Sequence, residues 1–390
     1  MSSSVSDTHP GVEHSLGHIQ TLDGWRAIAI TLVLVDHAGD SILRAISSSW
    51  ALGEFASPDT VRPLKEYVGR LGVHLFFSLS GYLITSRLLY EEHARSEVSL
   101  KEFYLRRLFR IQPAALAFLV TAAVLGFLGI VEISTLGWIG ALAGFANLVP
   151  GEVPTWYTGH FWSLAVEEHF YLFWPAAFVM MGSRFRLRGT IVLAITLGLW
   201  RFVAIKYQWT TSMNFTIRTD MESQWLVWGC IAALTEKRVR GLQMRASTLR
   251  ACAGGAAIVL WLPLALQGTD WKIQAALVSL SAMLTPLLFL ATAGDRTAVI
   301  ARFLELPAIA WLGRISFSLY LWQQLFVVWD GARSAAMGIL QTLPVGLLAA
   351  LVCASASYYL VERPMIQLGR QWVSRLRQES ARIRPRLLAD

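Results

Sequence analysis

An arginine and a histidine lie on one face of the first long apolar segment of this chain. In LDGWRAIAITLVLVDHAGD, Arg26 and His37 are eleven residues apart, which on a helix is about three turns and roughly 16 Å of rise. Ionisable groups within a membrane-spanning helix are costly and usually face a polar cavity. Because an unperturbed histidine has a pKa of about 6.5, His37 is a candidate general base for a hydroxyl proton. The alternative is a histidine that only hydrogen-bonds to a neighbouring helix.

Three arginines crowd the start of the third apolar segment. They are Arg106, Arg107 and Arg110 of FYLRRLFRIQP, and the last two share a helix face. Arginine at a helix N-terminus binds phosphate through bidentate hydrogen bonds that the helix dipole assists. The alternative is that these residues only anchor the helix at the cytoplasmic face.

Adjacent carboxylates occur within another apolar segment, GHFWSLAVEEHFYLFWP. Glu167, Glu168 and His169 are hard to explain there as packing. Glu167 is four residues after Ser163 and is predicted at a depth similar to that of His37. We therefore expect the Glu167 carboxylate to orient or charge-stabilise the His37 imidazole.

Polar residues near the C-terminus are predicted to be mainly structural. GRISFSLYLWQQ holds Tyr320 and two glutamines, for which hydrogen bonding between helices is a sufficient role. YYLVERP places Glu362 and Arg363 at a helix end, and Pro364 is predicted to stop that helix.

The composition predicts an all-α polytopic membrane protein. Of the 390 residues, 55% are hydrophobic and 15% are charged, against about 25% charged in soluble domains. Apolar runs of about 20 residues, the length that crosses a bilayer, recur along the chain. About ten crossings are predicted, near residues 26–46, 69–88, 109–131, 162–182, 189–206, 221–235, 251–267, 272–292, 309–329 and 338–360. The short, glycine-interrupted stretch 136–149 is predicted to be re-entrant or interfacial.

Basic residues predict the orientation. With the N-terminus and C-terminus both cytoplasmic, 23 of the 34 Lys and Arg fall in cytoplasmic segments and six fall on the opposite side. The net charge of +8 is thus explained by topology, and nucleic-acid binding is not expected. No internal repeat supports an inverted-repeat transporter.

Three regions are expected along the chain. Residues 1–20 form a disordered cytoplasmic tail without a signal peptide, and its three histidines are not expected to bind a metal. Residues 21–366 form the membrane domain, and residues 367–390 form a basic cytoplasmic tail. The three cysteines show no CxxC spacing, so neither a disulfide nor a zinc site is predicted.

Six segments together carry a family resemblance. In order, they are the Arg26 and His37 pair, GVHLFFSLSGYLIT, the RxxR of Arg107 and Arg110, WSLAVEEHFYL, ISFSLYLW and VERP. With these segments, roughly residues 20 to 366 resemble the acyltransferase 3 family of bacterial membrane O-acyltransferases, which includes O-antigen acetylases. A bundle of about ten helices also resembles that family.

The resemblance implies transfer of an acyl group, usually acetyl, from cytoplasmic acyl-CoA to a hydroxyl of a cell-envelope saccharide or related acceptor. By motif, His37 would be the catalytic base and Arg26 its functional partner. Arg107 and Arg110, with Arg106 beside them, would hold the CoA phosphates. Either Glu167 or Glu168 would be the essential carboxylate. No metal and no permanently bound cofactor are implied, and the expected location is the bacterial inner membrane.

Two departures from the family pattern stand out. Family members often have histidine where this chain has Gln323, so the contribution of that histidine is expected to be lost. After VERP only a basic tail is expected, without an esterase-like domain of the kind that some relatives carry. Direct transfer and an acyl-histidine intermediate both fit the sequence. The alternative function is a transporter or flippase of a polar or polyprenyl-linked molecule, since polar residues in membrane helices suit it equally.

Overall fold

The computed structural model describes residues 19–47, 58–148, 156–207, 217–241, 246–293, 298–328 and 330–387. Within these ranges every regular element is a helix, which confirms the all-α prediction. The predicted disordered tail lies almost wholly outside the described residues, as do the three histidines in it.

Sixteen α-helices follow one another in the described part of the chain. They are α1 (Gln20–Ser47), α2 (Pro58–Arg95), α3 (Leu100–Phe127), α4 (Thr135–Ala143), α5 (Trp156–Gly159), α6 (Phe161–Met180), α7 (Gly182–Lys206), α8 (Thr219–Gly241), α9 (Ala246–Val259), α10 (Leu262–Ala265), α11 (Trp271–Leu284), α12 (Pro286–Thr292), α13 (Val299–Leu304), α14 (Pro307–Phe326), α15 (Val345–Ser357) and α16 (Arg363–Leu387). Two 3₁₀ segments, Asp330–Ala332 and Ala335–Gln341, precede α15, and a π-helical turn, Tyr358–Glu362, follows it.

Five helical stretches among the described residues are long and apolar enough to cross a membrane. They are Leu100–Phe127, Gly182–Lys206, Ser247–Ala265, Trp271–Thr292 and Val345–Gln378. The other five predicted crossings fall on α1, α2, α6, α8 and α14. These helices have 20 residues or more but carry polar and charged side chains into the interior. The total of ten crossings and the cytoplasmic placement of both termini stay predictions.

Four helices form the centre of the bundle, where glycines let neighbouring backbones approach closely. α1 packs against both α2 and α14, and α2 packs along α8. A Cβ on Gly81 of α2 would overlap the backbone of Leu226 in α8, and a Cβ on Gly229 would overlap that of Ser78. This arrangement fixes the depth of α1, which carries both Arg26 and His37.

Two local predictions concern short segments. Most of α4 lies in the stretch predicted to be re-entrant or interfacial, and its nine residues rise only about 13 Å, too little to cross a bilayer. Its placement in the membrane stays a prediction. The prediction that Pro364 stops a helix is wrong, because α16 begins at Arg363 and continues to Leu387. The π-helical turn before it widens the helix, and proline is tolerated in the first helical turn, where its missing N–H has no partner to lose.

Helix α16 lies against the start of α3. The Arg377 Nε donates a hydrogen bond to the Glu102 Oε1 over 3.0 Å, and its Nη2 donates to Oε2 over 2.6 Å. Residues of the predicted basic tail therefore pack on the helical bundle up to at least Arg377.

Candidate functional site

Two cavities lie on successive parts of α1. The first, the arginine cavity, has a volume of about 590 Å³ and is lined by seven arginines but only two glutamates. The second, the histidine cavity, has a volume of about 920 Å³ and contains His37. Arg26 lines the first cavity, so the rise of α1 between these two residues separates the cavities in depth. Val73 and Tyr320 line both cavities and form the partition between them.

Five of the seven arginines of the arginine cavity form no ion pair in the described part of the chain, and Arg26, Arg107 and Arg110 are three of these five. Arg26, Arg107 and Arg110 line the cavity, and each is absent from the ion pairs of that part. The guanidinium carbon of Arg107 lies 4.7 Å from the ring centroid of Tyr171. Glu167 and Glu362 act on these cations only from beyond ion-pair distance, so the cavity keeps an excess of positive charge that suits a polyanion.

Arg106 is different from its two neighbours. Its guanidinium forms ion pairs with Glu91 over 2.8 Å and with Glu102 over 3.1 Å. Arg95 and Arg377 bind the same Glu102 carboxylate. The structure thus places Arg106 in the cavity wall, within an ionic network that joins α2, α3 and α16.

Glu167 lies in the arginine cavity. Its carboxylate accepts hydrogen bonds from Ser80 Oγ over 2.8 Å and from the Tyr171 hydroxyl. The expectation that Glu167 orients the His37 imidazole is wrong, because the two side chains line different cavities and His37 has another partner. The prediction failed because equal depth along two helices says nothing about the faces that they turn to each other.

Glu168 has a more peripheral setting, although it also lines the arginine cavity. Its Oε1 accepts a hydrogen bond from Gln112 Nε2 over 2.8 Å. The neighbouring His169 is bound to Thr219 Oγ1 over 2.7 Å. Since Tyr171 links Glu167 to Arg107, Glu167 is the more central of the two carboxylates.

His37 is held by a pair of buried glutamines in α14. The His37 Nδ1 lies 2.7 Å from Gln323 Oε1, and Gln323 Nε2 donates to Gln324 Oε1 over 2.8 Å. The His37 ring also meets the Trp156 indole edge-on, with 4.8 Å between ring centroids. Gln323 stands where family members often have histidine, and the sequence predicted only that the contribution of that histidine is lost. The structure shows that Gln323 itself contacts His37.

The rest of the histidine cavity combines aromatic rings with carboxylates. Trp156, Tyr157 and Trp162 contribute to its wall. Asp36, Glu66 and Glu132 are its acidic members. Rings offer flat apolar faces and carboxylates accept hydrogen bonds from hydroxyls, a combination that suits a polyhydroxyl ligand.

A second histidine in this cavity has no hydrogen-bond partner for its ring nitrogens in the described structure. His160 is only 3% exposed, and neither ring nitrogen makes a hydrogen bond there. Its ring packs against Phe118, Phe161 and Tyr320. A buried imidazole that lines a cavity is available to a ligand.

Residues 19–361 match a family described as an acyltransferase domain, the acyltransferase 3 family. The chain belongs to the acyltransferase 3 family. The O-acetyltransferase OatA of Staphylococcus aureus (strain NCTC 8325 / PS 47) is 25% identical over 383 residues, which are 91% of this chain and 58% of that protein. The peptidoglycan O-acetyltransferase OatA of Listeria monocytogenes serovar 1/2a is 24% identical over 339 residues, or 79% of this chain and 49% of that protein. No solved structure matches the chain.

This acyltransferase 3 chain spans about half the length of the curated relatives that it matches. A putative O-acetyltransferase of Staphylococcus aureus (strain COL) is likewise 26% identical over 78% of this chain and 50% of its own length. The matched region contains every candidate site residue predicted from the sequence.

Several residues of this candidate site were not identified from the sequence. Ser80 and Tyr171 were overlooked as partners of Glu167, although a tyrosine four residues after a buried glutamate is a readable signal. Tyr320 and the two glutamines were predicted to be structural. Their place in the polar motif SLYLWQQ was a second signal, since amides within an apolar helix need partners. Trp156 and His160 carried no signal of their own.

Proposed function

We propose that this chain is a membrane O-acyltransferase that transfers an acyl group, with acetyl the first candidate, from acyl-CoA to a saccharide hydroxyl. One observation carries the proposal. A cavity rich in unpaired arginines and a cavity containing His37 meet at a partition formed by Val73 and Tyr320. A reaction between a polyanionic donor and a neutral acceptor needs these two environments side by side.

The arginine cavity would hold acyl-CoA. Arg107 and Arg110 are free for its phosphates, because no carboxylate in the described structure pairs with them. Guanidinium groups bind phosphate bidentately, and Arg26 lies further along the same cavity. The pantetheine arm would then extend past Tyr320 and bring the thioester to the histidine cavity.

The histidine cavity would hold the acceptor. Its tryptophans can stack on the apolar face of a sugar ring, and its carboxylates can accept hydrogen bonds from sugar hydroxyls. A cell-envelope saccharide or glycolipid is the acceptor class that fits. The relative named peptidoglycan O-acetyltransferase makes peptidoglycan the first acceptor to test.

The proposed chemistry needs one base. The His37 imidazole takes the proton of the acceptor hydroxyl, and the oxygen attacks the thioester carbonyl carbon. The carbon–sulfur bond breaks, and the CoA thiolate takes the proton back from His37 as it leaves. General base catalysis of this kind contributes about 10²- to 10⁴-fold in rate.

The same arrangement supports a membrane location. Five helical stretches of the described residues are apolar and long enough to cross a bilayer, and the basic ends of α2 and α3 lie together at the arginine cavity. The positive-inside rule favours the cytoplasm for that end, where acyl-CoA is available. We propose the bacterial inner membrane as the location, with the lipid bilayer and no nucleic acid among the partners.

The proposal is tested with purified protein in lipid nanodiscs, radiolabelled acetyl-CoA and peptidoglycan fragments. We expect label to move to the saccharide in a reaction that depends on protein and time. A transporter or flippase would also use two cavities across one partition, but it would leave the thioester intact. Absence of both acyl transfer and acetyl-CoA hydrolysis, together with no acetyl-CoA binding, would favour that alternative.

A further inference from the structure

Four groups form a hydrogen-bonded line that starts at a backbone carbonyl and ends at His37. Gln324 Nε2 donates to the Trp156 carbonyl oxygen over 2.6 Å. Gln323 Nε2 then donates to Gln324 Oε1 over 2.8 Å, and Gln323 Oε1 lies 2.7 Å from His37 Nδ1. Both glutamine residues are buried, with 0% and 2% exposure, so these bonds are made within the protein interior.

The carbonyl oxygen fixes the orientation of both amides. A backbone carbonyl only accepts hydrogen bonds, so the Gln324 amide must turn its NH₂ group to Trp156 and its oxygen to Gln323. Gln323 must then offer its NH₂ group to that oxygen. The Tyr320 carbonyl, 3.4 Å from the same Nε2, favours the same orientation. The Gln323 oxygen is left facing His37.

An oxygen that faces His37 requires the imidazole to donate. A neutral histidine carries its proton on one ring nitrogen only, so a donor at Nδ1 leaves Nε2 with a free lone pair. We propose that the Gln323 and Gln324 pair is a positioning relay that holds His37 in the Nδ1–H tautomer and keeps Nε2 ready as the base. The role of Nε2 as the base rests on the proposed function, whereas the tautomer of His37 does not.

Trp156 strengthens the relay at both ends. Its indole Nε1 donates to the backbone carbonyl oxygen of Gln324 over 3.0 Å, so each of the two side chains bonds to the backbone of the other residue. Its ring also packs against the His37 ring. One residue of the short helix α5 thus fixes the far end of the relay and the plane of the imidazole.

The relay has a defined consequence for the reaction. The proton of the acceptor hydroxyl moves to Nε2 while Nδ1–H stays bonded to Gln323 Oε1, and the thiolate later recovers the Nε2 proton. The opposite tautomer would present an N–H to the hydroxyl and could not accept its proton. In other enzymes, a residue hydrogen-bonded to one ring nitrogen of a catalytic histidine fixes its tautomer and leaves the other nitrogen to accept the proton.

The test compares Gln323→Leu, which removes the acceptor, with Gln323→Glu, whose carboxylate can only accept. The first readout is the ¹⁵N NMR spectrum of labelled histidine in the full-length protein, where N–H and bare ring nitrogens differ in shift. His37 is assigned by its loss in His37→Ala. We expect Nδ1–H in the wild type and in Gln323→Glu, and a mixture of tautomers in Gln323→Leu.

The second readout is the rate of acyl transfer. We expect Gln323→Leu to reduce kcat several-fold, in proportion to the fraction of His37 that leaves the Nδ1–H tautomer, and Gln323→Glu to retain more activity than Gln323→Leu. A purely structural role predicts the reverse order, because a buried carboxylate disturbs packing more than leucine does.

Gln341→Leu is the matched control. Gln341 is 2% exposed and makes three hydrogen bonds, to Leu325, Tyr157 and Ser334, but none to His37. It should lower the melting temperature as Gln323→Leu does, without altering the His37 spectrum. A wild-type His37 protonated at Nε2, or a Gln323→Leu spectrum identical to wild type, would overturn the relay. An Nδ1–H signal that depends on Gln323 in a protein without acyl transfer would keep the relay and reject the proposed function.

Discussion

The two cavities of this protein are built on opposite principles. The arginine cavity holds an excess of cations and only two carboxylates, so its electrostatic field is unbalanced until a ligand arrives. The histidine cavity mixes three carboxylates and two arginines with several aromatic rings, and its His37 is hydrogen-bonded to a neutral amide. One cavity is suited to bind charge, and the other is suited to move a proton.

This contrast shows how one bundle can separate binding from chemistry. α1 contributes Arg26 to one cavity and His37 to the other, so a single rigid helix fixes their distance. If the contrast is correct, substitutions in the arginine cavity should change the affinity for acyl-CoA. Substitutions in the histidine cavity should change the rate of transfer.

The largest effect is expected for His37→Ala. Loss of the base should reduce kcat for acyl transfer by about 10²- to 10⁴-fold, while acetyl-CoA binding is retained. Turnover of labelled acetyl-CoA and the Kd from calorimetry measure the two quantities separately. Undiminished transfer in His37→Ala would remove the base from the mechanism.

A large effect on binding is expected for the double variant Arg107→Gln and Arg110→Gln. Each hydrogen bond to a charged group is worth about 1.5–3 kcal/mol, so the Kd of acetyl-CoA should rise by roughly tenfold to a hundredfold per arginine. Calorimetry on the purified protein checks this expectation.

Arg106→Gln is the matched control for that double variant. Because Arg106 pairs with the buried Glu91 and with Glu102, its loss should lower stability by about 1–3 kcal/mol. The Kd for acetyl-CoA should change less than in the double variant. If Arg106→Gln weakened binding most, the division between paired and unpaired arginines would be wrong.

An intermediate effect is expected from the two adjacent carboxylates. Glu167→Gln should lower transfer by about tenfold or more, since the variant cannot accept both hydrogen bonds from Ser80 and Tyr171. Glu168→Gln should lower it less, because Glu168 bonds only with Gln112 in the described structure. Initial rates at saturating acetyl-CoA compare the two, and the opposite order would show that Glu168 is the essential carboxylate.

The smallest effect is expected from salt. Screening shortens the range of exposed charges from about 10 Å at 0.1 M to about 3 Å at 1 M ionic strength. The KM for acetyl-CoA should therefore rise several-fold with added sodium chloride, whereas kcat should change little. A fall in kcat with unchanged KM would place the salt-sensitive step in the histidine cavity instead.

The sequence was sufficient to predict residues whose chemistry is conspicuous within an apolar helix. Arg26, His37, Glu167 and the RxxR arginines were identified in this way, and all of them line the two cavities. Helical content also followed from apolar periodicity, whereas the polar ends of α2 and α3 and the whole of α16 extend beyond the predicted crossings. These properties are local to one segment.

Contacts between segments could not be predicted from the same patterns. Gln323 is 286 positions from His37, and nothing in either segment fixes the face that α14 turns towards α1. The wrong pairing of Glu167 with His37 has the same origin. The ionic network that holds Arg106 also depends on the rotation of α2 and α16 around α3, which depth alone does not determine.

The most direct test of the account is calorimetric titration of acetyl-CoA, alongside turnover, into wild-type protein, His37→Ala and the double variant Arg107→Gln and Arg110→Gln. If one cavity binds the donor and the other supplies the base, His37→Ala should bind acetyl-CoA as the wild type does but fail to transfer the acetyl group. The double variant should lose binding. Wild-type affinity in the double variant, or full transfer by His37→Ala, would contradict the division of labour between the two cavities.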